Sequence, residues 1–128
     1  MDKATYISIH PIGNSDPQDM PVADIDRAVS WYEEKMGFAL VGREDAPRAA
    51  RIERDGVVIR LAENGRDPEQ ASCYIEVDNV EGAREELAAK GVDVSLLRLD
   101  NYGGNRYRVF FAKDDDGLCY CLGTKLTQ

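Results

Sequence analysis

PVADIDRAVSWYEEKMGF, residues 21–38, holds an aspartate able to cap a helix, an amphipathic run and a terminating glycine. Asp24 is placed as the N-cap, and Asp26 in the first turn suits the positive end of the helix dipole. Ile25, Ala28, Val29, Tyr32 and Met36 recur at spacings of three and four, so they form one apolar stripe, with Asp26, Arg27, Glu33 and Glu34 off it. That stripe needs a surface to cover. Gly37 stands where a left-handed residue ends a helix, and Phe38-Ala39-Leu40-Val41 begins a strand-like run.

The same order of signals returns further along. Val22-Ala23-Asp24-Ile25-Asp26-Arg27-Ala28 matches Val77-Asp78-Asn79-Val80-Glu81-Gly82-Ala83 at an offset of about 55, and Lys35 falls on Lys90. A cap, a helix, a glycine and a strand are used twice. Two copies are too few to bury the faces of a solenoid, so the pattern predicts two similar halves sharing one core.

Ala4 to Ile9 reads as the first strand, and Gly13 to Met20 as a polar loop, either a rim over a site or a surface insertion. After the first helix come strands over Ala39 to Glu44, Ala49 to Arg54 and Val57 to Glu63, the last two joined by Asp55-Gly56, a signal for a type I′ hairpin turn. Asn64 to Gln70 is read as the link between halves. The second helix runs from about Val80 to Lys90, between a strand at Ser72 to Val77 and strands at Val92 to Leu99, Arg106 to Ala112 and Leu118 to Leu122. The fold class is therefore α+β. Two βαβββ modules, about 1–63 and 71–128 of a single 1–128 domain, form curved mixed sheets around a cavity with the helices on the outer face.

A chain of 128 residues is one domain by length, and its net charge of −8 disfavours a nucleic-acid or anionic-membrane partner. No apolar run is long enough to span a bilayer and the N-terminus lacks a hydrophobic secretion segment, so a cytoplasmic protein is expected. Cys73, Cys119 and Cys121 are expected as free thiols, and a lone C-x-C lacks the further ligands of a structural zinc site.

PVADIDRAVSWYEEKMGF, IRLAEN, YIEVDNVEGAREELAAKGV and DDDGLCYCL, in this order and spacing, resemble the vicinal oxygen chelate superfamily. Its members include glyoxalase I, extradiol dioxygenases, fosfomycin-resistance enzymes and bleomycin-resistance proteins. In the metal-dependent members four side chains converge on one divalent ion. The resemblance puts Arg60 where a carboxylate is usual, Ser72 where a histidine is usual and Cys121 where the last glutamate is usual; the first-strand position falls on Pro17 by spacing or on His10 if the loop follows the strand. A guanidinium has no lone pair to give and keeps its charge, and serine is a poor ligand for zinc, nickel or manganese. No cofactor and no catalytic residue are expected on this reading, only a ligand-binding cavity.

Strand alternation groups Val58, Arg60 and Ala62, then Ser72 and Tyr74, then Arg106, Arg108 and Phe110, then Cys119 and Cys121. Arg60 anchors an anionic or carbonyl-bearing ligand between apolar walls at Tyr74 and Phe110, or else pairs with an acid such as Glu53. Arg108, Ser72, Cys121 and His10 complete the candidate ligand-binding set, with His10 also open as a general base and Cys121 as a nucleophile activated by Arg60. The resemblance implies a metal-free small-molecule binder of the bleomycin-resistance kind, commonly a homodimer. A glyoxalase-type lyase or isomerase recruiting an ion through His10 and Cys121, or a vestigial module, are the alternatives.

Overall fold

The computed structural model describes residues 4–13, 15–45 and 48–126. Asp24 caps α1 (Ile25–Lys35) by accepting the Arg27 amide at 3.2 Å, and Asn79 does the same for α2 (Val80–Ala89) with the Gly82 amide at 3.1 Å. Ile25, Ala28, Val29 and Tyr32 form the buried side of α1, as their spacing requires. Beyond the helix ends, Gly37 and Gly91 take φ of +72° and +82°, where a side chain is strained.

The strands are β1 (Tyr6–Pro11), β2 (Met20–Pro21), β3 (Ala39–Asp45), β4 (Arg48–Arg54), β5 (Val57–Ala62), β6 (Ser72–Val77), β7 (Asp93–Val94), β8 (Arg98–Tyr102), β9 (Asn105–Lys113) and β10 (Cys119–Lys125). They make a four-stranded sheet in the order β2-β5-β4-β3 and a six-stranded sheet in the order β1-β6-β10-β9-β7, with β8 also on β9. Helix α1 packs on β3, β4 and β5, and α2 on β7, β9 and β10, so each helix covers one face and leaves the other open. This is the α+β architecture the sequence predicts. Asp55 and Gly56 both have positive φ, as a type I′ turn demands.

Three details depart from the reading by pattern. The strand expected over Val92 to Leu99 is interrupted at Ser95, whose amide donates to the Phe111 carbonyl and whose hydroxyl accepts the Phe111 amide, both at 2.8 Å, so β7 and β8 are separate. Met20–Pro21 forms a strand too short to carry a periodic signal, parallel to β5. Finally, β1 pairs antiparallel with β6, so the first strand of the first half lies in the second half's sheet.

Two buried polar clusters hold the halves together. Tyr32 donates its hydroxyl to Asp114 at 2.6 Å and lies 2.8 Å from the Tyr120 hydroxyl, while the other Asp114 oxygen accepts the Asp116 and Leu118 amides at 2.9 Å. Asp116 in turn binds Arg27 at 2.6 Å and the Ala23 amide at 3.1 Å, which clamps the Asp114–Gly117 turn onto α1. Arg54 forms the second cluster. Its guanidinium grips Glu86 through two bonds of 2.7 and 3.0 Å, donates to the Met36 and Ala4 carbonyls, and lies 4.0 Å over the Tyr6 ring.

Candidate functional site

The open face of the six-stranded sheet is built by register. His10 stands opposite Tyr74, and Tyr74 opposite Cys121, so three adjacent strands present these side chains in one row. The next row pairs Cys119 with Ser72 and with Lys113; on β9, Cys121 faces Phe111, and Gly123 faces Val109. Beyond β9, Arg98 and Asp100 of β8 face Val109 and Tyr107. This open face therefore carries His10, Tyr74, Glu76, Tyr107, Phe111 and Cys121 together. His10 stacks on Tyr74 with ring centroids 6.4 Å apart, Tyr107 meets that ring edge-on at 5.9 Å, and the Arg98 guanidinium lies 4.7 Å over Phe111. Gly123 makes the arrangement possible: a Cβ there would sit 3.2 Å from the Tyr74 ring and 2.6 Å from Val109.

Electrostatically this face is quiet. Tyr74 donates to Glu76 at 2.5 Å, and burial with this carboxylate pushes the phenol well above its usual range. Burial pushes the Cys121 thiol up to about 12, with Asp100 and Cys119 adding to the effect, and burial raises Cys119 as well. The expectation of a Cys121 activated by Arg60 is corrected: Arg60 is not among the charges that act on it, and the thiol stays protonated at neutral pH. Ser8 lies 3.0 Å from His10 Nε2.

Arg108 and Phe110 are placed on the opposite face, correcting the face shared with Tyr74. Phe110 is fully buried in the core, and Arg108 lies on the helix side, 3.9 Å from Glu81 of α2. The reason is that Val109, Phe110 and Ala112 are buried and Phe111 half-buried, so the run carries no alternation from which to choose a face. Tyr107 and Phe111, missed by sequence, take that place, and only the register with β10 reveals it.

On the other sheet, Arg60 donates Nε to Glu44 at 3.0 Å and Nη2 at 3.2 Å, with Nη1 3.4 Å from Asp19 and 3.3 Å from the Gln18 carbonyl. Its acid partners are Glu44 and Asp19 rather than Glu53, because β3 lays Glu44 beside the Arg51–Arg60 pair. The hydrogen bonds and charge of Arg60 hold the Glu44 carboxyl below its usual range. The Arg60 amide donates to the Pro17 carbonyl at 2.9 Å, so the chain before α1 brings Pro17 alongside Arg60 and leaves His10 on the other sheet.

A family model described as Glyoxalase/Bleomycin resistance protein/Dioxygenase superfamily matches residues 9–121. The chain belongs to this superfamily. Among solved structures similar to it is the bleomycin resistance determinant encoded on transposon Tn5, with 19% identity over 89% of this chain and 99% of the other and a TM-score of 0.72. TnmS3, an antibiotic binding protein from Streptomyces sp. CB03234, matches at 20% identity over 89% of this chain and 97% of the other, with a TM-score of 0.71. A superfamily member from Sphaerobacter thermophilus DSM 20745 matches at 20% identity over 88% and 98%, with a TM-score of 0.69. No curated protein sequence matches the chain. At these identities the structural likeness speaks for the fold.

The superfamily's divalent ion does not suit the residues present. The position to which the resemblance assigns a metal-binding carboxylate holds Arg60, which is committed to Glu44 and Asp19, and a fixed positive charge there repels a cation. His10 and Cys121 flank Tyr74 in register, which separates their backbones by about 10 Å, two strand spacings, with a tyrosine between them. Among the described residues no three His, Cys, Asp or Glu side chains come together in a metal-binding group. Two depressions lie elsewhere, by the start of α1: one of about 310 Å³ lined by Val22, Ala23, Glu63, Gly65, Arg66 and Pro68, the other of about 210 Å³ between Asp26, Arg43 and Arg48.

Proposed function

We propose that this superfamily member is a cytoplasmic binder of small molecules that works without a divalent metal ion and acts as a homodimer. The observation that carries the reading is the pairing of Arg60 with Glu44 and Asp19, at a position to which the resemblance assigns the carboxylate of metal-dependent members. The names of two relatives by structure, an antibiotic binding protein and a bleomycin resistance determinant, favour sequestration over catalysis. Ligand contacts are assigned to the open face of the six-stranded sheet, with Tyr74 and Phe111 as aromatic surfaces, His10 and Ser72 at one side and Cys121 as an inert floor.

Ligand charge follows from the same geometry. Arg60 is neutralised by its two acids, so it is no longer an argument for an anionic group, and the net charge of −8 favours a cationic ligand with a planar, stackable part. Among the described residues no helix is long and apolar enough to cross a membrane.

Calorimetric titration with a cationic glycopeptide and with small organic acids, alongside metal analysis of the purified protein, tests the reading. Binding of the cation is expected, with loss of affinity in Tyr74→Ala and Phe111→Ala. Stoichiometric nickel, zinc or manganese required for binding, or turnover of a hemithioacetal, overturns it.

A further inference from the structure

We propose that two copies of the chain associate by pairing their β8 strands antiparallel about Leu99, fusing two six-stranded sheets into one. This deepens the homodimer reading given above by naming the surface. Strand β8 pairs with β9 in unbroken register from Arg98 opposite Val109 to Tyr102 opposite Asn105, and its other edge pairs with no strand among the described residues. Natural edges are usually guarded by bulges, lysines or prolines, because an open row of amides and carbonyls recruits another strand. The edge strand β3 is guarded by a register shift between Leu40 and Gly42, and β8 is not. Instead β8 and the residues before it expose Leu96 at 79%, Leu99 at 60% and Tyr102 at 79%.

The pattern RLDNY, residues 98–102, is self-complementary in one register. A two-fold axis through Leu99 sets Leu99 against the partner's Leu99 on the helix side of the sheet. On the open side it sets Arg98 against the partner's Asp100, and Asp100 against the partner's Arg98; two residues further out, Leu96 meets the partner's Tyr102. Every exposed apolar side chain of this edge gains an apolar neighbour, and opposite charges face each other twice. Moving the axis one residue either way places Asp100 against the partner's Asp100 or Arg98 against the partner's Arg98, which charge repulsion disfavours. Arg98 and Asp100 already lie 3.0 Å apart within one chain, so the paired edges bring four alternating charges together beside Phe111 and Tyr107.

Light scattering and sedimentation of the full chain test the assignment through a charge swap. The wild type is expected to be a dimer at high micromolar concentration. Arg98→Asp alone and Asp100→Arg alone put like charges opposite and are expected to weaken association about tenfold or more, and Leu99→Asp likewise, whereas the double variant R98D/D100R restores opposite charges and the dimer. Circular dichroism of each variant reports whether it is folded, and recovery in the double variant excludes a folding defect as the cause. A dimer indifferent to all four changes overturns β8 as the surface and leaves the homodimer reading standing. A wild type that stays monomeric overturns both while leaving ligand binding to be judged by calorimetry.

Discussion

Lys35 and Lys90, 55 residues apart, each reach the end of the other's helix: Lys35 Nζ donates to the Lys90 carbonyl at 2.8 Å and Lys90 Nζ to the Glu34 carbonyl at 3.1 Å. Two helix C-termini, each with carbonyls lacking an intrahelical partner, are thereby capped reciprocally by ammonium groups suited to the negative end of the dipole. Replacing either lysine by methionine is expected to cost about 0.3–1 kcal/mol, with a double variant costing less than the sum. Urea unfolding of the four-member cycle measures the coupling; strict additivity means the two contacts are independent.

Arg54 bonds Glu86, the last turn of α1 and the N-terminal segment from a buried position, so its loss strands a carboxylate and two carbonyls. Arg54→Met is expected to destabilise the protein by about 3–5 kcal/mol, the range for breaking one side of a buried ion pair. Pairing it with Glu86→Met recovers part of that loss, since no charge is then left alone. Chemical denaturation of both variants decides the matter.

Burial raises the phenols of Tyr6, Tyr32 and Tyr120 above their ordinary value of 10.0. A group whose folded pKa is raised contributes stability that is complete below the unfolded value and is lost as pH climbs toward the folded one. Stability is therefore expected to fall above about pH 10, by about 1.4 kcal/mol per pH unit for each tyrosine that ionises only in the unfolded chain. Tyr120→Phe reduces the slope. Urea midpoints between pH 8 and 11 supply the comparison, and a flat profile contradicts the burial argument.

Glu44 carries the opposite sign. Hydrogen bonds from Arg60 depress its carboxyl below the ordinary 4.5, so its contribution is present above the unfolded value and is lost as pH falls through the folded one. In Arg60→Gln the Glu44 titration, followed by carboxyl NMR, is expected to move up toward the ordinary value. An unchanged titration shows that Arg51 or the surrounding backbone, not Arg60, sets it.

Sequence pattern carried the fold because its signals are local and repeated: Asp24 and Asn79 as caps, the α1 stripe and the Asp55-Gly56 turn all occupy their predicted roles. The open face of the six-stranded sheet was legible only in part. His10, Ser72, Tyr74 and Cys121 share it, but Phe111 and Tyr107 were hidden by a β9 run in which apolar residues point both ways, so that only pairing with β10 decides the face. Arg60 drew attention by its charge type, whereas its partners Glu44 and Asp19 depend on how β3 and the segment before α1 fold back, which is long-range information.

The crossing of β1 into the far sheet bears on how the chain assembles during synthesis. Tyr6 to Pro11 leave the ribosome before the first helix, yet their partners at Cys73 to Val77 follow only after the whole first half has been made. The opening strand must wait unpaired until β6 has been made, so its closure joins segments more than sixty residues apart. A fragment ending before β6 would keep a loose end, and for that reason the two repeats cannot be cut apart at the link between them and remain whole.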